Sequence, residues 1–74
     1  MLLKFEVYKD GRMWGARAMG HPIFTQGKSL DEVYRNIKDA AHLHFEEAVN
    51  KGEKLEVITL ADAEVHGGRK AAAG

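Results

Sequence analysis

Apolar and polar residues alternate from the start of the chain. Leu3, Phe5 and Val7 are interleaved with Lys4, Glu6 and Tyr8, a period of two that predicts a half-buried strand. Asp10-Gly11 follows, a dipeptide suited to the positive φ angles of a tight hairpin. A second strand over 12–19 sets Trp14, Ala16 and Ala18 against Met13, Gly15, Arg17 and Met19. Gly15 inside that run marks a bulge or a close backbone approach. Gly20-His21-Pro22 interrupts the ladder, since proline has no donor for it, and 23–26 reads as a short third strand closed by Gly27.

The period then changes. Ser29 and Glu32 stand three apart ahead of an apolar run, the spacing of a capping box in which each side chain reaches the other's backbone amide. Asp31 and Glu32 also suit the positive end of a helix dipole. Leu30, Val33, Tyr34, Ile37, Ala41, His44, Phe45 and Ala48 recur at intervals of three and four, which at ~100° per residue gathers them on one stripe. One continuous helix is therefore expected, ending at Asn50-Lys51-Gly52 with Gly52 in the left-handed conformation. Phe45 is expected to be fully buried on that stripe, so that its truncation would cost ~3–5 kcal/mol. Leu55, Val57 and Thr59 alternate with Glu56, Ile58 and Leu60 in a fourth strand. Residues 61–65 either prolong it or begin a tail, and 66–74 read as unstructured.

The order strand, strand, strand, helix, strand predicts an α+β fold. A three-stranded meander followed by a helix that returns the chain lets the fourth strand pair in parallel with the first. The expected arrangement is two-layer β-β-β-α-β, sheet order 3-2-1-4, one helix on one face, in a single domain over 1–65. If Leu3, Phe5 and Val7 meet the helix, then Leu2, Tyr8, Met13 and Met19 point to the bare face. That face is either a partner surface or a set of scattered exposed residues. Leu43 lies about 160° away from Phe45 around the helix; it either touches a second subunit or is a lone exposed leucine.

At 74 residues the chain is near the lower limit for a core without staples. It has no cysteine, so packing or self-association must strengthen the core, and a homodimer is expected. The lack of cysteine fits a reducing compartment. Eleven basic and eleven acidic residues cancel, which argues against a protein held on nucleic acid by bulk charge. The N-terminal stretch carries Lys4 and Glu6 and is no signal peptide. With no apolar run of the ~20 residues that span a bilayer, a soluble cytoplasmic protein without membrane association is expected.

Candidate chemistry is sparse. Ser29 is the only serine, and capping accounts for it. His42 and His44 diverge by ~200° on a helix and cannot chelate one ion together; His21 falls in a loop and His66 in the tail, so no metal is assigned. His44, on the apolar stripe, is expected to be a partly buried core residue. Glu6 and Glu56 on neighbouring strands have the residue type of a two-metal nuclease site, but their phase places them on the open face as solvated charges. Gly27-Lys28-Ser29 matches the end of a phosphate-binding loop, yet the first glycine of that motif would fall at Pro22. No cofactor and no enzymatic activity are expected. Lys4, Lys9, Arg12 and Arg17 cluster near Tyr8 and Trp14 in the first hairpin, a second possible use of the domain, as an RNA-binding patch.

The segment Phe24-Thr25-Gln26-Gly27-Lys28-Ser29-Leu30-Asp31-Glu32 resembles the HicB-like antitoxins of bacterial and archaeal toxin–antitoxin pairs, in which a threonine-glutamine-glycine strand end runs into a Leu-Glu-Glu-rich helix start. The likeness continues through Asn36–Ala41 and Leu43–Glu46 and covers about half the chain. It implies the same β-β-β-α-β fold and a domain that binds a small RNA-cleaving toxin, masking its active surface sterically. Three features depart from the family. His21-Pro22-Ile23 stands where Pro-Gly-Cys is usual, the charge is neutral where many members are acidic, and only nine residues follow Val65. A C-terminal DNA-binding module, which full-length members often add, is therefore not expected.

Overall fold

A computed structural model describes residues 1–61. The tail expected over 66–74, and any extension of the last strand through 62–65, lie outside the described residues.

The elements are β1 (Leu2–Asp10), β2 (Met13–Ala18), β3 (Phe24–Gly27), α1 (Leu30–His44), α2 (Glu46–Asn50) and β4 (Glu56–Ala61). The four strands form one sheet in the order β3-β2-β1-β4. β2 runs antiparallel to both β1 and β3, and β4 runs parallel to β1. This is the two-layer α+β arrangement that the order of elements implied.

Alternation along the strands sets the core. Leu3, Phe5 and Val7 of β1 and Ala16 of β2 are buried, and they meet Val33, Ile37 and Ala41 of α1. The three helical residues are spaced by four, as one face of a helix requires. Ile23 is buried as well, although the strand expected to include it begins one residue later. The β1–β2 hairpin turns through Gly11 and Arg12, between the paired residues Asp10 and Met13. Gly11 has φ +64°, whereas no residue other than glycine has positive φ among those described. A glycine at the first central position is what a type II′ turn needs, so Asp10 closes the strand and does not belong to the turn's centre.

Ser29 caps α1, its hydroxyl accepting from the Glu32 amide at 3.1 Å. Glu32 reaches back one residue further than a standard capping box, and its carboxylate accepts from the Lys28 amide. The helix is not continuous. Phe45, at φ −112° and ψ 35°, separates α1 from the short α2. Its ring stands edge-on to His21, at 5.2 Å between centroids, and to His44, at 4.8 Å. Phe45 is consequently only half-buried, and His44 is exposed, where an unbroken stripe would have carried both inward. α2 ends as expected: Gly52 has φ +91°. The amides of Gly52 and Glu53 donate to the carbonyls of Val49 and Ala48, the paired bonds of a Schellman cap.

Candidate interaction surfaces

The join between β3 and α1 explains the residue types of the segment running from Phe24 to Glu32. A Cβ on Gly27 would come 2.8 Å from the Val33 amide nitrogen and 3.1 Å from the Glu32 carbonyl carbon, so only glycine lets the helix start pack on the strand end. Asn36, two turns into α1, donates from Nδ2 to the Gln26 carbonyl at 2.8 Å. The Thr25-Gln26-Gly27 step is thus a clamp between strand and helix. It works through the Gln26 backbone, while the Gln26 side chain is exposed.

α1 lies over β2 and β3, leaving space beside it on the β4 side. Two adjoining hollows of about 230 and 270 Å³ open there, and both are walled by Lys38 of α1 and Val57 of β4. Tyr34, Ile37 and Thr59 complete one; Ala41, His42, Val49, Glu53 and Leu55 complete the other. Together they make a shallow groove, largely apolar, parallel to the helix. Each hollow is smaller than the ~300–1,000 Å³ of a typical small-molecule site, a size suited to single side chains of a docking protein.

The opposite face of the sheet has no covering layer among the described residues. Leu2, Met19, Phe24, Ile58 and Leu60 are all exposed there, by between 42 and 60%. The register aligns them in rows across the strands. Phe24 is opposite Arg17, Arg17 opposite Glu6, and Glu6 opposite Leu60. Arg17 donates to the Glu6 carboxylate at 2.9 Å, and its guanidinium also sits 5.8 Å from the centre of the Tyr8 ring. A neighbouring row brings Lys4 beside Ile58, with the Met19 amide donating to the Lys4 carbonyl at 2.8 Å. Tyr8 lies flat over Gly15, where a Cβ would meet the ring at 2.7 Å, which is the close approach that a glycine within a strand signals.

The four residues that strand alternation offered for an interface, Leu2, Tyr8, Met13 and Met19, share this open face, Tyr8 and Met13 being half-buried. Leu43, offered from its place around the helix, is apart from them. It is 71% exposed on α1, on the other side of the sheet. Phe24, Ile58 and Leu60 complete the apolar surface and were not singled out. Their signal was present in the alternation, which already set Ile58 and Leu60 out of phase with Leu55 and Val57, and Phe24 out of phase with Thr25.

Other candidate groups are dispersed. Glu6 is paired in register with Leu60, and Glu56 with Leu2. The two carboxylates are thus four residues apart along the strands, roughly 13 Å, too far to hold one pair of metal ions. Among the described residues no three His, Cys, Asp or Glu side chains converge as metal ligands. The basic hairpin is divided between faces. Lys9 lies over Trp14 at 5.1 Å and pairs with it in register on the helix side, whereas Arg17 is on the open face with its charge met by Glu6. No described helix is long and apolar enough to cross a membrane.

What the fold defines is a small α+β domain with apolar surface exposed on both sides of its sheet. Compared with known proteins, the chain is 59% identical over 32 residues to a UPF0150 protein of Archaeoglobus fulgidus. That match takes in 43% of this chain and 48% of the relative, so the chain spans about half the length of the curated relative it matches. No protein-family model matches the chain, and no solved structure matches it.

Proposed function

We propose that this domain is a HicB-like antitoxin module that binds a small RNA-cleaving toxin and inhibits it by covering its surface, with no chemistry of its own. The observation that carries the reading is the groove between α1 and β4. A single off-centre helix leaves Tyr34 and Val57 partly accessible, over the buried Ile37 and beside the exposed Lys38 and Glu53, a mixed rim and apolar floor of the kind that protein partners occupy. The resemblance of the Phe24–Glu32 segment to antitoxins supports the choice of partner, and the clamp formed by Gly27 and Asn36 gives that segment a structural reason. The 32-residue likeness to the UPF0150 protein means that part of this chain recurs in another protein, which is compatible with a module used more than once.

Co-expression with the product of an adjacent small gene tests the proposal. A stable complex in which RNA cleavage by the partner is suppressed is the expected result. Tyr34→Glu should release the partner while leaving the domain folded, because Tyr34 is only half-buried. Cleavage that proceeds unchanged in the presence of this chain would overturn the reading.

A further inference from the structure

We infer that the open face of the sheet is a self-complementary interface that seats a second copy of this chain, with the two-fold axis running along the strands. In strand order β3-β2-β1-β4, one row of that face reads Phe24, Arg17, Glu6, Leu60. It is apolar, positive, negative, apolar. A two-fold axis parallel to the strands, placed over the midline between β2 and β1, lays β1 of one copy on β2 of the other and β4 on β3. Each residue then meets the mirror position of its own row. Arg17 faces the Glu6 of the second copy, Glu6 faces its Arg17, and Phe24 and Leu60 face each other at both ends.

The charge order selects this axis. A two-fold perpendicular to the strands and passing through this row would lay each strand on itself and set Arg17 against Arg17 and Glu6 against Glu6, a like-charge juxtaposition that disfavours it. With the axis along the strands, the intramolecular Arg17–Glu6 bridge at 2.9 Å becomes one half of a four-charge ring with Phe24 and Leu60 at both ends of its row. In the adjoining row Lys4 lies over the Met19 of the second copy, its aliphatic stem on an apolar surface. Aligned sheets pack about 10 Å apart with their strands within about 30°, so the arrangement is ordinary β-sandwich geometry across two chains.

Size sets the strength. Four strands ~4.8 Å apart and about six residues long, at ~3.3 Å each, make a face of roughly 20 by 20 Å. That is below the ~800 Å² per partner of a standard interface, so the dimer is reversible and dissociates on dilution. It leaves the groove beside α1, on the far side of the sheet, free for a different protein.

Sedimentation equilibrium of the full chain, from low micromolar to about 0.5 mM, tests the inference. The wild type is expected to pass from monomer to dimer across that range. Arg17→Glu makes the central pair negative on both copies and Glu6→Arg makes it positive on both; each should weaken self-association about tenfold or more. The two variants mixed in equal amounts should recover a dimer of wild-type strength, because their rows are complementary only to each other. Phe24→Ser should also weaken the dimer, and circular dichroism should show all three variants folded. A wild type monomeric throughout the range overturns the inference. So does a dimer that persists unchanged in Arg17→Glu and Phe24→Ser, or a mixture that fails to reassociate. Loss of toxin binding in Arg17→Glu with a monomeric wild type would give the face to the toxin instead. Toxin binding that survives in a monomeric Arg17→Glu variant separates this interface from the groove.

Discussion

The two faces of the sheet are built from the same strands and from nearly the same stock of apolar side chains, yet their fates differ. On the helix side, Leu3, Phe5, Val7 and Ala16 are almost completely buried; one residue along, Leu2, Phe24, Ile58 and Leu60 stand about half exposed. Side-chain type does not explain this. The covering helix does: α1 supplies Val33, Ile37 and Ala41 to one face, while no described residue is layered over the other. An apolar residue contributes to stability through the area it removes from water, about 25 cal/mol per Å², so the covered face holds the monomer together. The open face leaves about half of its apolar side-chain surface in water, a smaller term that is still available for association.

The three phenylalanines sample this contrast at three depths. Phe5, wholly buried in β1, should be the most costly to truncate. Phe5→Ala is expected to lose ~3–5 kcal/mol, a large part of the ~5–15 kcal/mol that holds a domain together, and urea denaturation would read it. A loss under about 1 kcal/mol would mean that the core does not centre on β1. Phe45, half-buried at the helix break, should cost less, about 1–2 kcal/mol on truncation, in proportion to the surface it removes from water. If Phe45→Ala were as costly as Phe5→Ala, the helix would have to be continuous there, with the ring turned inward. Phe24 is 60% exposed, and Phe24→Ser should change monomer stability by no more than about 0.5 kcal/mol. Denaturation at a concentration too low for association isolates that term; a larger loss would show that the open face is already packed within one chain.

Much of the covered face was legible in the residue order. Leu3, Phe5 and Val7 fixed the inward phase of β1, and Val33, Ile37 and Ala41 fixed that of α1. Ser29 and Gly52 marked the helical segment's ends. What the order of residues did not reveal was the break at Phe45. The three-to-four spacing continues through Ala48 without interruption, and the break coincides with the packing of the Phe45 ring against His21, a loop residue 24 positions earlier. The extent of the open face was half legible. Alternation placed Leu2, Tyr8, Met13 and Met19 on it, and helical spacing separately set Leu43 off the apolar stripe of α1, where it is exposed.

Residue order by itself therefore determined the elements and the inward side of each, because a period of two or of 3.6 is a local property of the backbone. Tertiary structure alone decided which side chains became neighbours across strands. The row Phe24, Arg17, Glu6, Leu60 draws on four segments and exists only once pairing register is fixed, and a slip of one residue would turn a strand's entire set to the other face. The offset of α1 towards β3, which opens the groove beside β4, was settled in the same way. It depends on how closely the helix start can approach the strand at Gly27, a matter of packing distance that periodicity does not encode.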